Sequence, residues 1–161
     1  MALDPRQGVL LNLLGQGYDQ RAWHGTNLVG ALRGVTAAQA LWRPKPGRHN
    51  IWELAVHCAY WKYAVRRRLT GEPEGGFELE GSNWIPRSGP TSEKAWKADR
   101  ALLAREHKAL VAVVKAFEAG RLDRRLGRGP FTSAETIAGA AAHDLYHAGQ
   151  IQLLKRLRAH R

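Results

Sequence analysis

Two histidines one helical turn apart, His143 and His147 in "AAHDLYHAGQIQLLKR", have the types and spacing best suited to chemistry in this chain. Side chains at i and i+4 lie on one helical face, the separation at which two imidazoles can grip one metal ion. Histidine is an indifferent helix former, so propensity does not account for the pair. The competing explanation is a solvated face near a helix end, where cations suit the dipole. On a helical wheel at about 100° per residue, Thr136, Ala140, His143, His147, Gln150, Ile151 and Leu154 share a sector that holds much of the apolar stripe. The pair is therefore expected to point inward. Two inward imidazoles are unfavourable unless each finds a partner, and a shared metal ion satisfies both. Gly139, Ala140 and Ala141 are small, which leaves room beside the histidines for an ion or ligand.

A catalytic metal takes three protein ligands and keeps an open position. His57, in "IWELAVHCAYW", lies on the flank of another apolar stripe, close in angle to Leu54 and Trp61, and is the expected third ligand. A lone inward histidine can also be a hydrogen-bonded core residue; the paired site elsewhere is what favours ligation. Glu53 could contribute a carboxylate, but its position three residues after Asn50 is that of a capping residue. "HDLYH" has the outline of a zincin motif with Asp144 in place of the glutamate. A zincin needs a further ligand downstream, and His160, roughly four turns along the same helix, cannot reach. Cys58 lies about 100° from His57, inside the stripe, and reads as a small buried hydrophobe. With no fourth ligand in view, the site is expected to serve chemistry more than folding.

Four helical stretches must position these residues, and no strand is evident. The first lies within 5–34, where Gly15 and Gly17 are expected to break it in two. "TAAQALWRPKPGRH" follows as a connector stopped by Pro44, Pro46 and Gly47. The second helix runs from its N-cap Asn50 to Gly71 and carries Ile51, Leu54, Cys58, Trp61, Val65 and Leu69 as one stripe. The third spans about 92–119 with Gly120 as its stop, and the fourth opens on a Thr132–Glu135 capping box and continues to near the C-terminus. Residues 71–90, "GEPEGGFELEGSNWIPRSGP", form the longest irregular segment, expected to cover part of a pocket near the metal through Phe77 and Trp84. Unequal connections between four helices imply an all-α antiparallel bundle, an architecture that hosts metal sites in its core. The chain length is that of a single domain, 1–161.

At 44% hydrophobic and 24% charged, with no repeat or low-complexity tract, the composition is that of a globular protein. "MALDPRQG" lacks the basic region and apolar run of a secretory signal, and no stretch approaches the roughly 20 apolar residues of a spanning helix. A single cysteine excludes an internal disulfide and fits a reducing compartment. A cytoplasmic protein without membrane association is expected. The net charge of +11 favours an anionic partner. The basic residues are spread, however: "VRRRL" points three ways around a helix and "KRLRAHR" is a helix end. Aromatic-basic interleaving and helix-turn-helix spacing are both missing, which leaves nucleic acid behind a small-molecule substrate as the expected partner.

"IWELAVHCAYW", followed far downstream by "HDLYHAGQIQLLKR", resembles the DinB-like (DinB/YfiT) superfamily of metal-binding four-helix bundles. The resemblance covers most of the chain, from "WRPKPGRHNIWEL" to "HDLYHAGQI". Carried over by position, the superfamily's metal triad falls on His57, His143 and His147. The resemblance also implies a long crossover connection, frequent homodimers, and zinc or nickel as the metal. Characterised relatives are thiol S-transferases or thiol-dependent isomerases that use glutathione-like cofactors. Many relatives double the last histidine; here Tyr146 precedes His147, so no spare ligand stands at that point. The expected function is metal-dependent transfer of a low-molecular-weight thiol to an electrophilic small molecule. Hydrolysis by metal-activated water is the alternative, as is a non-catalytic metal-binding module in stress response or associated with nucleic acid. Arg68, on the His57 side of its helix, is a candidate for holding a thiol cofactor's carboxylate. His24 in "AWHGT" is a candidate for substrate contact or proton transfer.

Overall fold

The computed structural model describes residues 3–160 and is built from helices. These are α1 (Pro5–Tyr18), α2 (Leu28–Leu32), α3 (Ala37–Leu41), α4 (Ile51–Thr70), α5 (Glu93–Ala116) and α6 (Ser133–Ala159), with one turn of 3-10 helix at Ala119–Arg121. Among the described residues no strand forms; Arg125 and Thr132 make only an isolated bridge.

The ends of α4 and α6 follow local chemistry. Asn50 accepts from the Glu53 amide at 2.8 Å and Thr132 from the Glu135 amide at 3.1 Å, with the glutamates reaching back to the cap backbone. Such caps satisfy otherwise orphaned amides and contribute about 1 kcal/mol each. Gly71 ends α4 at φ 78, a left-handed conformation that costs glycine little. A third capping box, Thr36 with Gln39, starts α3 inside the segment expected to be only a connector.

Three expectations change. Gly15 and Gly17 do not break the first helix, which continues to Tyr18. They are buried, and a Cβ on Gly17 would stand 2.9 Å from the Ala141 carbonyl oxygen, so Gly17 permits α1 to lie close against α6. The small residues of α6 serve that same approach: Ala140 and Ala141 are buried in an apolar cluster with Leu10 and Leu14 of α1, not left beside the histidines as free space. α5 stops at Ala116, before Gly120, because Phe117 turns extended (φ -68, ψ 136) and buries its ring.

Four long helices, α1, α4, α5 and α6, contact one another around two apolar clusters. One cluster takes residues 51–59 of α4, 96–103 of α5 and 148–154 of α6, together with α2, α3 and Tyr18. The other takes 65–69 of α4, 110–114 of α5, 137–141 of α6 and 10–14 of α1. Thus α4 and α5 pass from the first cluster to the second, while α1 and α6 pass the other way. Between the clusters each of α4, α5 and α6 carries buried polar groups: Lys62, His107, Asp144 and His147. This polar layer contains the candidate site. No helix of the described residues is long and apolar enough to cross a membrane.

Candidate metal centre

His57 comes from the middle of α4, and His143 and His147 from the middle of α6. The Nε2 atoms of His57 and His143 are 3.1 Å apart, and those of His143 and His147 are 3.0 Å apart. His57 and His147 are 5% and 2% exposed, and His143 is half-buried. One ligand atom from each of the three lies within 4.8 Å of the others, so the group could hold a metal ion.

Two of the opposite ring nitrogens are already committed. His57 Nδ1 lies 2.9 Å from the Asn83 carbonyl oxygen, and His147 Nδ1 lies 2.7 Å from Gln150 Oε1. Both oxygens only accept, so each Nδ1 carries its proton and each Nε2 presents a lone pair. His143 Nε2 faces both of those lone pairs and has at most one proton to offer them. A cation at this point resolves the mismatch, and neutral imidazoles held by outer hydrogen bonds are the ligand form metals take. Burial keeps the rings neutral: it pushes His57 down to about 4 and, helped by His147 and His57, pushes His143 down to about 3. His147 is also lowered by burial, against the pull of its Gln150 bond.

A second trio, Cys58 with His143 and Asp144, also lies close enough to share an ion. Its chemistry does not fit. Complete burial raises the Cys58 thiol well above its ordinary value, so it stays protonated. Asp144 already has a cation in Lys62 at Oδ2, although its buried Oδ1 has no hydrogen-bond partner.

The connection between α4 and α5 brings Asn83 and Trp84 over the triad. Asn83 adopts φ 53, accepts from His57 through its backbone, and accepts from Trp61 Nε1 at 2.9 Å through its side chain. Asparagine tolerates this left-handed conformation better than most residues. Trp84 stacks on His57 with centroids 3.7 Å apart and planes 6° apart, and His49 covers its other face at 3.6 Å. Phe77 does not reach the site; it packs on Tyr60 and Tyr63. The segment is pinned just beyond Trp84, where the Arg87 amide donates to Glu53 Oε1 at 3.1 Å and Asn50 donates to the Arg87 carbonyl at 3.0 Å. Glu53 is therefore a cap and a fastening point. Although burial opposes its charge, Arg43, the Arg87 amide and His49 hold its carboxyl down at about 2.

His24 is exposed in the turn between α1 and α2 and is not brought to the triad. Arg68 is exposed and lies over the Trp61 ring at 5.5 Å; Trp61 in turn packs edgewise on His57 and His143. The three adjacent arginines of α4 diverge: Arg66 pairs with Glu72 and Glu106, Arg67 with Glu74, and Arg68 stacks on Trp61. Asn83, His49 and Lys62 were not singled out by spacing. The signals available for them were an asparagine before a loop tryptophan and a lysine four residues after Cys58 in the apolar stripe.

Beside the triad opens a cleft of about 850 Å³, with His147, Gln150 and Trp84 in its wall. Comparison with curated proteins and with solved structures gives no match. A family model does match, over residues 20–151, a span that holds all three histidines and the segment folded over them: the chain belongs to the DinB superfamily.

Proposed function

We propose that His57, His143 and His147 hold one divalent metal ion, zinc or nickel, and that the protein is an enzyme joining a low-molecular-weight thiol to an electrophilic small molecule. The observation that carries the metal is the convergence of three imidazole nitrogens, two of them on rings whose opposite nitrogens are already committed to Asn83 and Gln150. Membership of the DinB superfamily supports the thiol chemistry. When bound, such an ion supplies Lewis acidity that lowers the pKa of a thiol or of water. The chain's own residues do the rest. Asn83 and Gln150 fix the tautomer and orientation of two rings, and Trp84 covers one face of His57 and keeps water from it. Arg68, held against Trp61 on the side of the triad toward the start of α6, is our candidate anchor for a carboxylate of the thiol. We read the four long helices as one bundle of the superfamily's kind, with 71–92 as its crossover.

Elemental analysis of untagged protein tests the metal: one ion per chain is expected, with near-complete loss in His57→Ala and retained helicity on chelation. Full occupancy in His57→Ala overturns the triad. Mass analysis of products then tests the chemistry, since a thiol adduct marks transfer and its replacement by a water adduct marks hydrolysis.

A further inference from the structure

The cleft beside the triad has a composition that selects among small molecules. Its floor is Leu54 and Leu154, 2% and 8% exposed, and one wall is Leu153 and Leu157, which stand 57% and 46% exposed on the last turns of α6. Large apolar side chains so open to water, gathered around one concavity, mark a surface built to be covered. The opposite rim carries Lys45 and Arg48. Neither side chain makes an ion pair among the described residues, whereas Arg43, Lys62, Arg66, Arg67, Arg87 and Arg105 are each paired with a carboxylate. No acidic residue lines the cleft among the described residues. The nearest acid along α4, Glu53, is occupied by Arg43, His49 and the Arg87 amide. The volume, about 850 Å³, is within the range of pockets that enclose drug-sized ligands.

We propose that this cleft binds an amphipathic organic anion, an alkyl or aryl body ending in a carboxylate, sulfonate or phosphate. The apolar body lies on the four leucines, the anionic group is held by Lys45 and Arg48, and the end nearest His147 and Trp84 is presented to the triad. The substrate class deepens the proposed enzymatic reading, because it describes the electrophile's shape. The binding itself does not depend on a metal. Two unpaired cations at one rim of a trough whose floor and far wall are leucines discriminate by charge, since a neutral ligand of equal length would leave them unused and a cationic one would meet repulsion.

Displacement of 1-anilinonaphthalene-8-sulfonate from metal-free protein, read by its fluorescence, tests this with octanoate, 1-octanol and octylammonium. Octanoate should compete at about tenfold lower concentration than octanol, the scale of one charge-assisted hydrogen bond, and octylammonium should be weakest. Lys45→Glu/Arg48→Glu should abolish the preference for octanoate while leaving the thermal midpoint unchanged, because both residues are exposed. Leu153→Ser/Leu157→Ser should weaken all three ligands together. Equal competition by octanol and octanoate in the native protein overturns the proposal, as does a preference that survives the double charge reversal. Sedimentation of the same samples gives the last arm: a dimer that excludes the dye until Leu157→Asp dissociates it would assign the leucines to a second copy of the chain and overturn the ligand. All titrations use metal-free protein, so a failed metal assignment leaves this result standing, and a failed ligand assignment leaves the triad untouched.

Discussion

Two polar clusters lie next to each other between α4 and α6, and they are balanced in opposite ways. In the triad, three neutral imidazoles turn their Nε2 atoms toward one another, and the hydrogen-bond partners of His57 and His147 stand on the outside. In the neighbouring cluster, Lys62 and Asp144, each 1% exposed, face each other as opposite charges, so that net charge is balanced even though Asp144 Oδ1 accepts no hydrogen bond. Lys62 also lies over the Tyr18 ring. His143 and Asp144 are adjacent in sequence, so a single peptide separates a group built only of neutral donors from one that carries its own cation. Burial of polar side chains does not by itself mark a ligand site. What marks it is a surplus of lone pairs aimed at one place with no proton or charge to answer them.

The comparison predicts that the closed cluster matters most to folding. Lys62→Met strands the buried Asp144 carboxyl and should cost roughly 3–5 kcal/mol, the usual penalty for removing one partner of a buried pair. Lys62→Met/Asp144→Leu should recover most of that loss, because an apolar pair of similar volume needs no charge balance. Urea midpoints of the single and double variants provide the measurement. A single variant as stable as the native protein would show that Asp144 is already satisfied some other way, and the contrast between the clusters would collapse.

The open cluster should be sensitive in a different quantity. Gln150→Leu removes the acceptor that holds His147 Nδ1 and frees the ring to rotate. Loss of such an outer partner typically lowers metal affinity about 10–100-fold. Competition with a chromophoric chelator would read the affinity, and the urea midpoint of metal-free protein should barely move. An affinity equal to the native value would mean that Gln150 does not orient the ring.

The triad was legible because its chemistry is written at helical spacing. His143 and His147 sit at i and i+4 in the inward sector, His57 sits on the flank of a strong stripe, and the Asn50 and Thr132 caps fix where both helices begin. Resemblance to the DinB superfamily joined the two halves. The closed cluster was not legible. Lys62 occupies a stripe position that an apolar residue would be expected to fill, and its partner lies 82 residues away. Periodicity reveals which face of an element is buried but not which residue of another element will meet it. For the same reason Glu53 could be read as a cap but not as the post to which Arg43 and Arg87 tie two connectors. By propensity Gly15 and Gly17 are breakers, but both are buried inside a continuous helix, Gly17 closely against the Ala141 backbone and Gly15 beneath the Gln20 side chain. The position of Asn83 required the left-handed backbone of a segment with no repeat to betray it.

The smallest expected effect concerns His107, which stacks on Tyr18 at 3.7 Å and borders the closed cluster from α5. Burial, helped by the Lys62 charge, pushes it down to about 3, and its buried Nδ1 has no hydrogen-bond partner. A histidine depressed from 6.5 binds its proton less readily when folded than when unfolded. Its contribution to stability is therefore complete above pH 6.5 and is lost as pH falls from there toward 3. His107→Phe keeps a ring against Tyr18 and removes the titration. Stability measured against pH should fall less steeply in the variant across that window. Part of the slope must remain, since the triad histidines are also depressed, and Glu53, lowered from 4.5 to about 2, adds its own loss once the pH falls below about 4.5. Metal affinity at neutral pH should not change, because among the described residues His107 stacks on Tyr18 and has no hydrogen bond or ring contact with the triad. A pH profile identical to that of the native protein would show that His107 charges as easily in the fold as outside it, and that its Nδ1 is not stranded.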